Sequence, residues 1–98
     1  MITRVVKLTF LPDEVDTFVS IFNNSKVSIR NFPGCQYLEL NREKDAGNIF
    51  FTYSIWESQE ALESYRKSIL FQETWAQTKI LFAAKAEAWS TFTHTKLP

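Results

Sequence analysis

The chain has 98 residues, of which 45% are hydrophobic, 22% charged and 15% aromatic, with two glycines and three prolines; this describes one globular domain and excludes a disordered chain. Eleven basic and eleven acidic side chains cancel without any Lys/Arg run, so nothing points to nucleic acid or an anionic membrane surface. A single cysteine excludes an internal disulfide; with no leader-like start and no apolar run near the ~20 residues of a bilayer span, a cytoplasmic setting is expected.

The first predicted strand runs from Ile2 to Leu11. Ile2, Val6, Leu8 and Phe10 share one face; Thr3, Val5, Lys7, Thr9 and Leu11 share the other. Arg4 falls on the more apolar face and reads as a strand-end charge reaching solvent or an acidic partner. Pro12 ends the strand and suits a first helical turn, followed by the acids Asp13, Glu14 and Asp16. Val15, Phe18, Val19, Phe22 and Ile29 then make a helical stripe to about Arg30. Asn23, Asn24 and Ser25 are weak helix formers within it, marking a solvated face, or else a kink or polar patch. Phe32-Pro33-Gly34 stops the helix, because proline cannot continue it and glycine tolerates positive φ.

Cys35 to Arg42 is the second strand, with Leu38 and Leu40 on one face and Tyr37 and Glu39 on the other. Lys44 to Gly47 is a hairpin-length polar loop. Asn48 to Trp56 is the third strand, and both its faces want cover: Ile49, Phe51, Tyr53 and Ile55 on one side, Phe50, Thr52, Ser54 and Trp56 on the other. Ser58 offers an N-cap oxygen to a short helix with Ala61, Leu62 and Tyr65 as its apolar stripe. Ser68 caps a second helix in which Phe71, Trp75, Thr78 and Phe82 share a face, ending at Ala83 to Lys85. Glu87 to Thr95 reads as the last strand, carrying His94 near its end.

The order β-α-β-β-α-α-β predicts a ferredoxin-like α+β sandwich, a four-stranded antiparallel sheet with helices on one face. The face carrying Ile49, Phe51, Tyr53 and Ile55 would then be too apolar to stay wet on a monomer, and a two-fold homodimer is the simplest cover.

No HxxxH or CxxC spacing and no glycine-rich phosphate loop is present, which restricts an enzyme here to chemistry without a built-in metal or nucleotide. Cys35 reads as a small buried hydrophobe; His94 reads as a surface or rim histidine, with a general base as the alternative. Phe50, Thr52, Ser54 and Trp56 should face the helices, with Phe22, Tyr65, Phe71 and Trp75 looking back at them. Such a set reads either as core filling or as the wall of a space for a flat, apolar ligand with phenolic or carbonyl oxygens.

Tyr53-Ser-Ile-Trp56-Glu-Ser58, with Glu60-Ala61-Leu62, Tyr65, Ser68 and Phe71, resembles the antibiotic biosynthesis monooxygenase family, as does Asn31-Phe-Pro-Gly34-Cys35 upstream. The resemblance covers nearly the whole chain. It implies two sandwiches joined into a dimeric α+β barrel and, for some members, oxygenation of polycyclic or quinol-like aromatics with no cofactor. Trp56 matches the tryptophan of that group, whereas Thr52 stands where it has asparagine and Leu62 where it has tyrosine. On this reading Trp56 and Thr52 orient and stabilise the substrate anion, Tyr65 donates a hydrogen bond, and Phe50, Ser54, Phe71, Trp75 and Phe22 hold the ring system. The haem-degrading branch is not matched: its asparagine, tryptophan and histidine fall near Val6, Tyr65 and Trp75, and tryptophan cannot ligate iron. A non-catalytic ligand-binding or regulatory dimer on the same fold is the alternative.

Overall fold

The computed structural model describes Met1–Pro98 and holds four strands in one antiparallel sheet: β1 (Ile2–Thr9), β2 (Cys35–Arg42), β3 (Ile49–Trp56) and β4 (Glu87–Thr91). Their order across the sheet is β2-β3-β1-β4. β2 and β3 form a hairpin, while helix α1 (Val15–Arg30) connects β1 to β2, and α2 (Gln59–Arg66) with α3 (Ile69–Lys79) connects β3 to β4. This is the expected ferredoxin-like sandwich. No helix is long and apolar enough to cross a membrane.

Local chemistry explains the helix boundaries. A single 3-10 turn, Pro12–Glu14, leads into α1, which runs unbroken for 16 residues and buries Val15, Phe18 and Ile29. Asn23 and Asn24 are exposed, and the Ser25 hydroxyl donates back to Ile21 O at 2.9 Å, so the polar run is a solvated face rather than a kink. Ser58 Oγ accepts the Ala61 N–H at 3.1 Å and caps α2. Ser68 Oγ accepts the Phe71 N–H at 3.1 Å while donating to Tyr65 O at 2.6 Å, tying the end of α2 to the start of α3. Gly34 has φ +89°, and a methyl group there would overlap the Ala61 side chain. The close approach lets Glu57 N–H donate to Gly34 O at 2.7 Å, joining the entrances of β2 and α2.

Only 12 of 98 residues are buried, and nine of them form two separate clusters rather than one core. Leu8, Phe10, Val15, Phe18, Phe50 and Leu81 pack beneath α1 at one end of the sheet. Cys35, Trp56 and Leu62 pack beneath α2 at the other. The sheet pairing shows why the middle is left unfilled. On the helix face one cross-strand row reads Leu38–Ser54–Arg4–Ser90 and the next Leu40–Thr52–Val6–Ala88, so small or polar side chains lie where a core would need bulk.

Three predicted elements end early. α3 stops at Lys79, not at Ala83, because the following residues pair with the end of β1: Leu11 N–H donates to Leu81 O and Ala83 N–H to Thr9 O, both at 2.9 Å. Phe82 therefore sits in a bridge opposite Phe10 rather than on the helix, yet its ring still meets Trp75 at 5.5 Å. β4 stops at Thr91, not at Thr95, since Thr91 already pairs with Thr3 and β1 begins at Ile2. β1 itself closes at Thr9, two residues short of Leu11, where Phe10 turns into that same bridge.

Candidate functional site

Between the two buried clusters lies a cavity of about 330 Å³, lined by 19 residues of which 13 are hydrophobic. Its floor is the helix face of the sheet: Arg4, Val6 and Leu8 from β1, Thr52, Ser54 and Trp56 from β3, and Leu38 from β2. α1 contributes Phe18, Phe22 and Ile29; α2 contributes Leu62, Tyr65 and Arg66; α3 contributes Phe71, Thr74 and Trp75. The volume lies at the lower end of small-molecule sites, enough for a compact, flat ligand.

The walls are aromatic and continuous. Tyr65 stacks on Trp56 with centroids 4.8 Å apart and planes 25° apart, and meets Phe71 edge-on at 5.3 Å. Phe71 in turn stacks on Trp75 at 5.8 Å and 10°. From Trp75 the contacts run through Phe82 to Phe10 and Phe18. Near-parallel pairs at this spacing leave ring faces and edges toward the space they enclose, which suits a planar guest.

Polar groups are few, and the floor supplies Arg4, Thr52 and Ser54. Trp56, 1% exposed, donates its Nε1–H to Ser54 Oγ at 3.0 Å. The indole donor is thereby spent inside the protein, while the Ser54 hydroxyl, polarised as an acceptor, keeps its own proton to donate. Arg4 Nη1 donates to Ser90 Oγ at 2.9 Å. Thr78 is not available as a donor to a ligand, because its hydroxyl back-bonds to Thr74 O at 2.7 Å.

Burial pushes the Tyr65 phenol up to about 12, with nearby Cys35 adding to the effect. Tyr65 is therefore a neutral donor over the whole physiological range and no base. Burial, then Arg66, draws the Arg4 guanidinium below its ordinary value, with Glu63 acting in the opposite direction. Burial likewise raises the Cys35 thiol, against the Tyr37 backbone and Arg30. That leaves Cys35 an inert core residue. No three His, Cys, Asp or Glu side chains converge in a way that would hold a metal ion.

The structure brings Trp56, Thr52, Tyr65, Ser54, Phe71, Trp75 and Phe22 together around one space. Phe50 departs from expectation. It is 3% exposed and packed against Phe10 and Phe18 in the α1 cluster, one row beyond Thr52 on β3. His94 is also elsewhere, on the exposed tail after β4, with Nδ1 2.9 Å from Thr95 Oγ1. Arg4 lines the cavity floor as well as meeting solvent, as its strand position suggested: its guanidinium binds the exposed Ser90 hydroxyl. Arg66, Thr74 and Ala88 are lining residues that the sequence pattern does not single out. Arg66 carried a usable signal, lying one residue beyond Tyr65 at the end of a capped helix.

Residues 1–77 match the family described as antibiotic biosynthesis monooxygenase. The chain belongs to this family. Solved structures agree on the fold at low identity. A crystal structure of an antibiotic biosynthesis monooxygenase superposes with a TM-score of 0.92 at 13% identity, covering 97% of this chain and 100% of that one. Rv0793 from Mycobacterium tuberculosis gives 0.89 at 16% identity, covering 99% and 98%. SnoaB from Streptomyces nogalater, a cofactor-independent oxygenase, gives 0.88 at 21% identity, covering 99% and 96%. No protein of curated function matches the sequence. Within the antibiotic biosynthesis monooxygenase fold, the cavity thus sits between the sheet and the α2–α3 crossover, and all of its lining except Thr78, Ala86 and Ala88 falls inside the matched segment.

Proposed function

We propose that this protein is a cofactor-independent monooxygenase acting on a small aromatic or quinol-type substrate, working as a homodimer. The observation that carries the reading is the buried Trp56 Nε1–H···Ser54 Oγ pair at 3.0 Å on the floor of an aromatic cavity. A hydroxyl whose oxygen already accepts from an indole is a stronger donor, and a dry site makes such a donor effective toward a developing anion.

In this mechanism the substrate stacks between the aromatic walls and loses a proton to water at the cavity mouth. The resulting phenolate or carbanion is stabilised by Ser54 and by the neutral Tyr65 phenol. It passes an electron to O₂; the two radicals combine at carbon, and the hydroperoxide loses water. The balance for an anthrone-type carbon is CH₂ + O₂ → C=O + H₂O, with the substrate supplying all the electrons. Trp56 acts through Ser54 and as the stacking partner of Tyr65. Thr52, adjacent on β3, offers a second hydroxyl, and the outer sheet face supplies the dimer interface. There Tyr53 lies beside Val5 and Trp89 in one cross-strand row, next to Ile55 and Phe51, and Tyr37, Tyr53 and Trp89 are 43%, 37% and 48% exposed.

Oxygen uptake by metal-free protein over a panel of hydroquinones and anthrones, with Ser54→Ala and Trp56→Phe alongside, tests the proposal. Uptake above the spontaneous rate that falls in both variants supports it; uptake unchanged in both removes this site. The second reading, a non-catalytic binding or regulatory module, draws on Thr52 and Leu62 standing where the aromatic oxygenases of the family carry asparagine and tyrosine. Tight binding of the panel without turnover would favour it.

A further inference from the structure

The lining of the cavity contains two arginines, Arg4 and Arg66, and no aspartate or glutamate. Arg4 comes from the sheet floor and Arg66 from the C-terminal turn of α2, near enough for Arg66 to act on Arg4. Arg66 has a carboxylate partner, since its Nη1 lies 3.5 Å from Glu63 Oε1 on the same helix. Arg4 has none. The chain's ion pairs are Lys7–Glu87, Lys44–Asp45 and Arg66–Glu63, and the one hydrogen bond of the Arg4 side chain goes to the neutral Ser90 hydroxyl.

A guanidinium has five N–H donors in a planar fork, so Arg4, half-buried at the open edge of an apolar space, keeps donors free for a ligand. Its partial burial makes an anion from a ligand a better partner for it than one in bulk water. The sheet register sets the Arg4 backbone between Ser54 and Ser90, and the bond to Ser90 Oγ holds the guanidinium toward β4 at the edge of the cavity, across the floor from the Ser54 hydroxyl that accepts from Trp56. Aromatic walls, a hydroxyl donor and an adjacent cation define one kind of guest.

We propose that the cavity selects aromatic ligands bearing a carboxylate, with the carboxylate on Arg4 and Arg66 screening it at the mouth. This rests on the reading of the cavity as a small-molecule site and names the substrate class within it. The carboxylate accepts two parallel N–H bonds from the Arg4 fork, and this contact sets the ring system over Ser54 with its reacting edge toward Tyr65. Arg66, already paired with Glu63, contributes less.

The test is a matched pair of redox-inert probes, 2-naphthoate and 2-naphthamide, titrated calorimetrically against the wild-type protein and against Arg4→Gln, Arg4→Lys and Arg66→Gln. Naphthoate is expected to bind about tenfold or more tighter than naphthamide to the wild type, as a charge-assisted pair implies. Arg4→Gln should abolish that preference, by weakening naphthoate far more than naphthamide. Arg4→Lys should keep part of it, because the charge remains and the fork is lost. Arg66→Gln should reduce it less than Arg4→Gln does. Retained naphthamide binding, with an unchanged circular dichroism spectrum, also shows that a variant is folded around its cavity. Equal binding of the two probes, or a preference that survives Arg4→Gln, overturns the anion site and leaves the aromatic site standing. Failure of the wild type to bind either probe overturns both.

Discussion

Replacing Ser54 with alanine probes the polar centre of the cavity with almost no change in shape. Ser54 is 7% exposed, and its oxygen is the acceptor for the indole of Trp56, which is 1% exposed. The substitution deletes that acceptor and leaves a buried N–H facing apolar atoms, a loss of about 1–3 kcal/mol for a neutral donor. A water molecule entering the 330 Å³ cavity would restore part of it, so the lower end of the range, about 1 kcal/mol, is expected. For a chain of this size that lowers Tm by about 4–8 °C. The decisive measurement is a double-mutant cycle in urea denaturation with Trp56→Phe, which removes the donor. In the Trp56→Phe background the Ser54→Ala change has nothing to orphan, and the coupling between the two sites should be about 1 kcal/mol. A coupling below about 0.5 kcal/mol, within the scatter of independent sites, would refute the claim that Ser54 and Trp56 act as a pair. In turnover the same alanine variant should lower kcat about a hundredfold, the usual loss for one donor to a developing anion.

Three further outcomes are expected. Gly34→Ala should destabilise by about 2–5 kcal/mol in urea denaturation, combining the cost of positive φ with overlap on Ala61; Ala61→Gly in the same chain should recover the steric part alone. Tyr65 ionises near 12 against an ordinary value of 10, so between those pH values the unfolded chain sheds a proton that the native state keeps. Stability should therefore fall as pH rises from 10 to 12, and Tyr65→Phe should flatten that fall, followed by denaturation and tyrosinate absorbance. Val5→Arg places a charge between Tyr53 and Trp89 on the outer sheet face. Light scattering should give twice the 11.4 kDa chain mass for the wild type and the single mass for the variant, with circular dichroism unchanged.

Much of this molecule was legible in local sequence because local forces decide it. Alternation along β3 assigned Phe50, Thr52, Ser54 and Trp56 to one face, since strand side chains must alternate. Ser58 and Ser68 marked two helix starts because orphan N–H groups need an oxygen, and Pro33-Gly34 marked a helix exit because only glycine takes the turn at low cost. The aromatic residues of α2 and α3 announced a face.

What the tertiary structure alone decided follows from pairing between residues far apart in sequence. α3 ends at Lys79 because Leu81–Ala83 find backbone partners at the end of β1, and β4 is short because Thr3 is already its partner at Thr91. Phe50 shares the strand face of Ser54 but lies beneath α1 beside Leu8, so it fills a core while Ser54, two rows away, faces a space. Arg4 is the clearest case. By itself it is a charge on an apolar strand face; only the register that seats it between Ser54 and Ser90 places it on the cavity floor. Side-chain direction is set by the backbone of one strand, whereas what that side chain meets is set by which strands lie beside it.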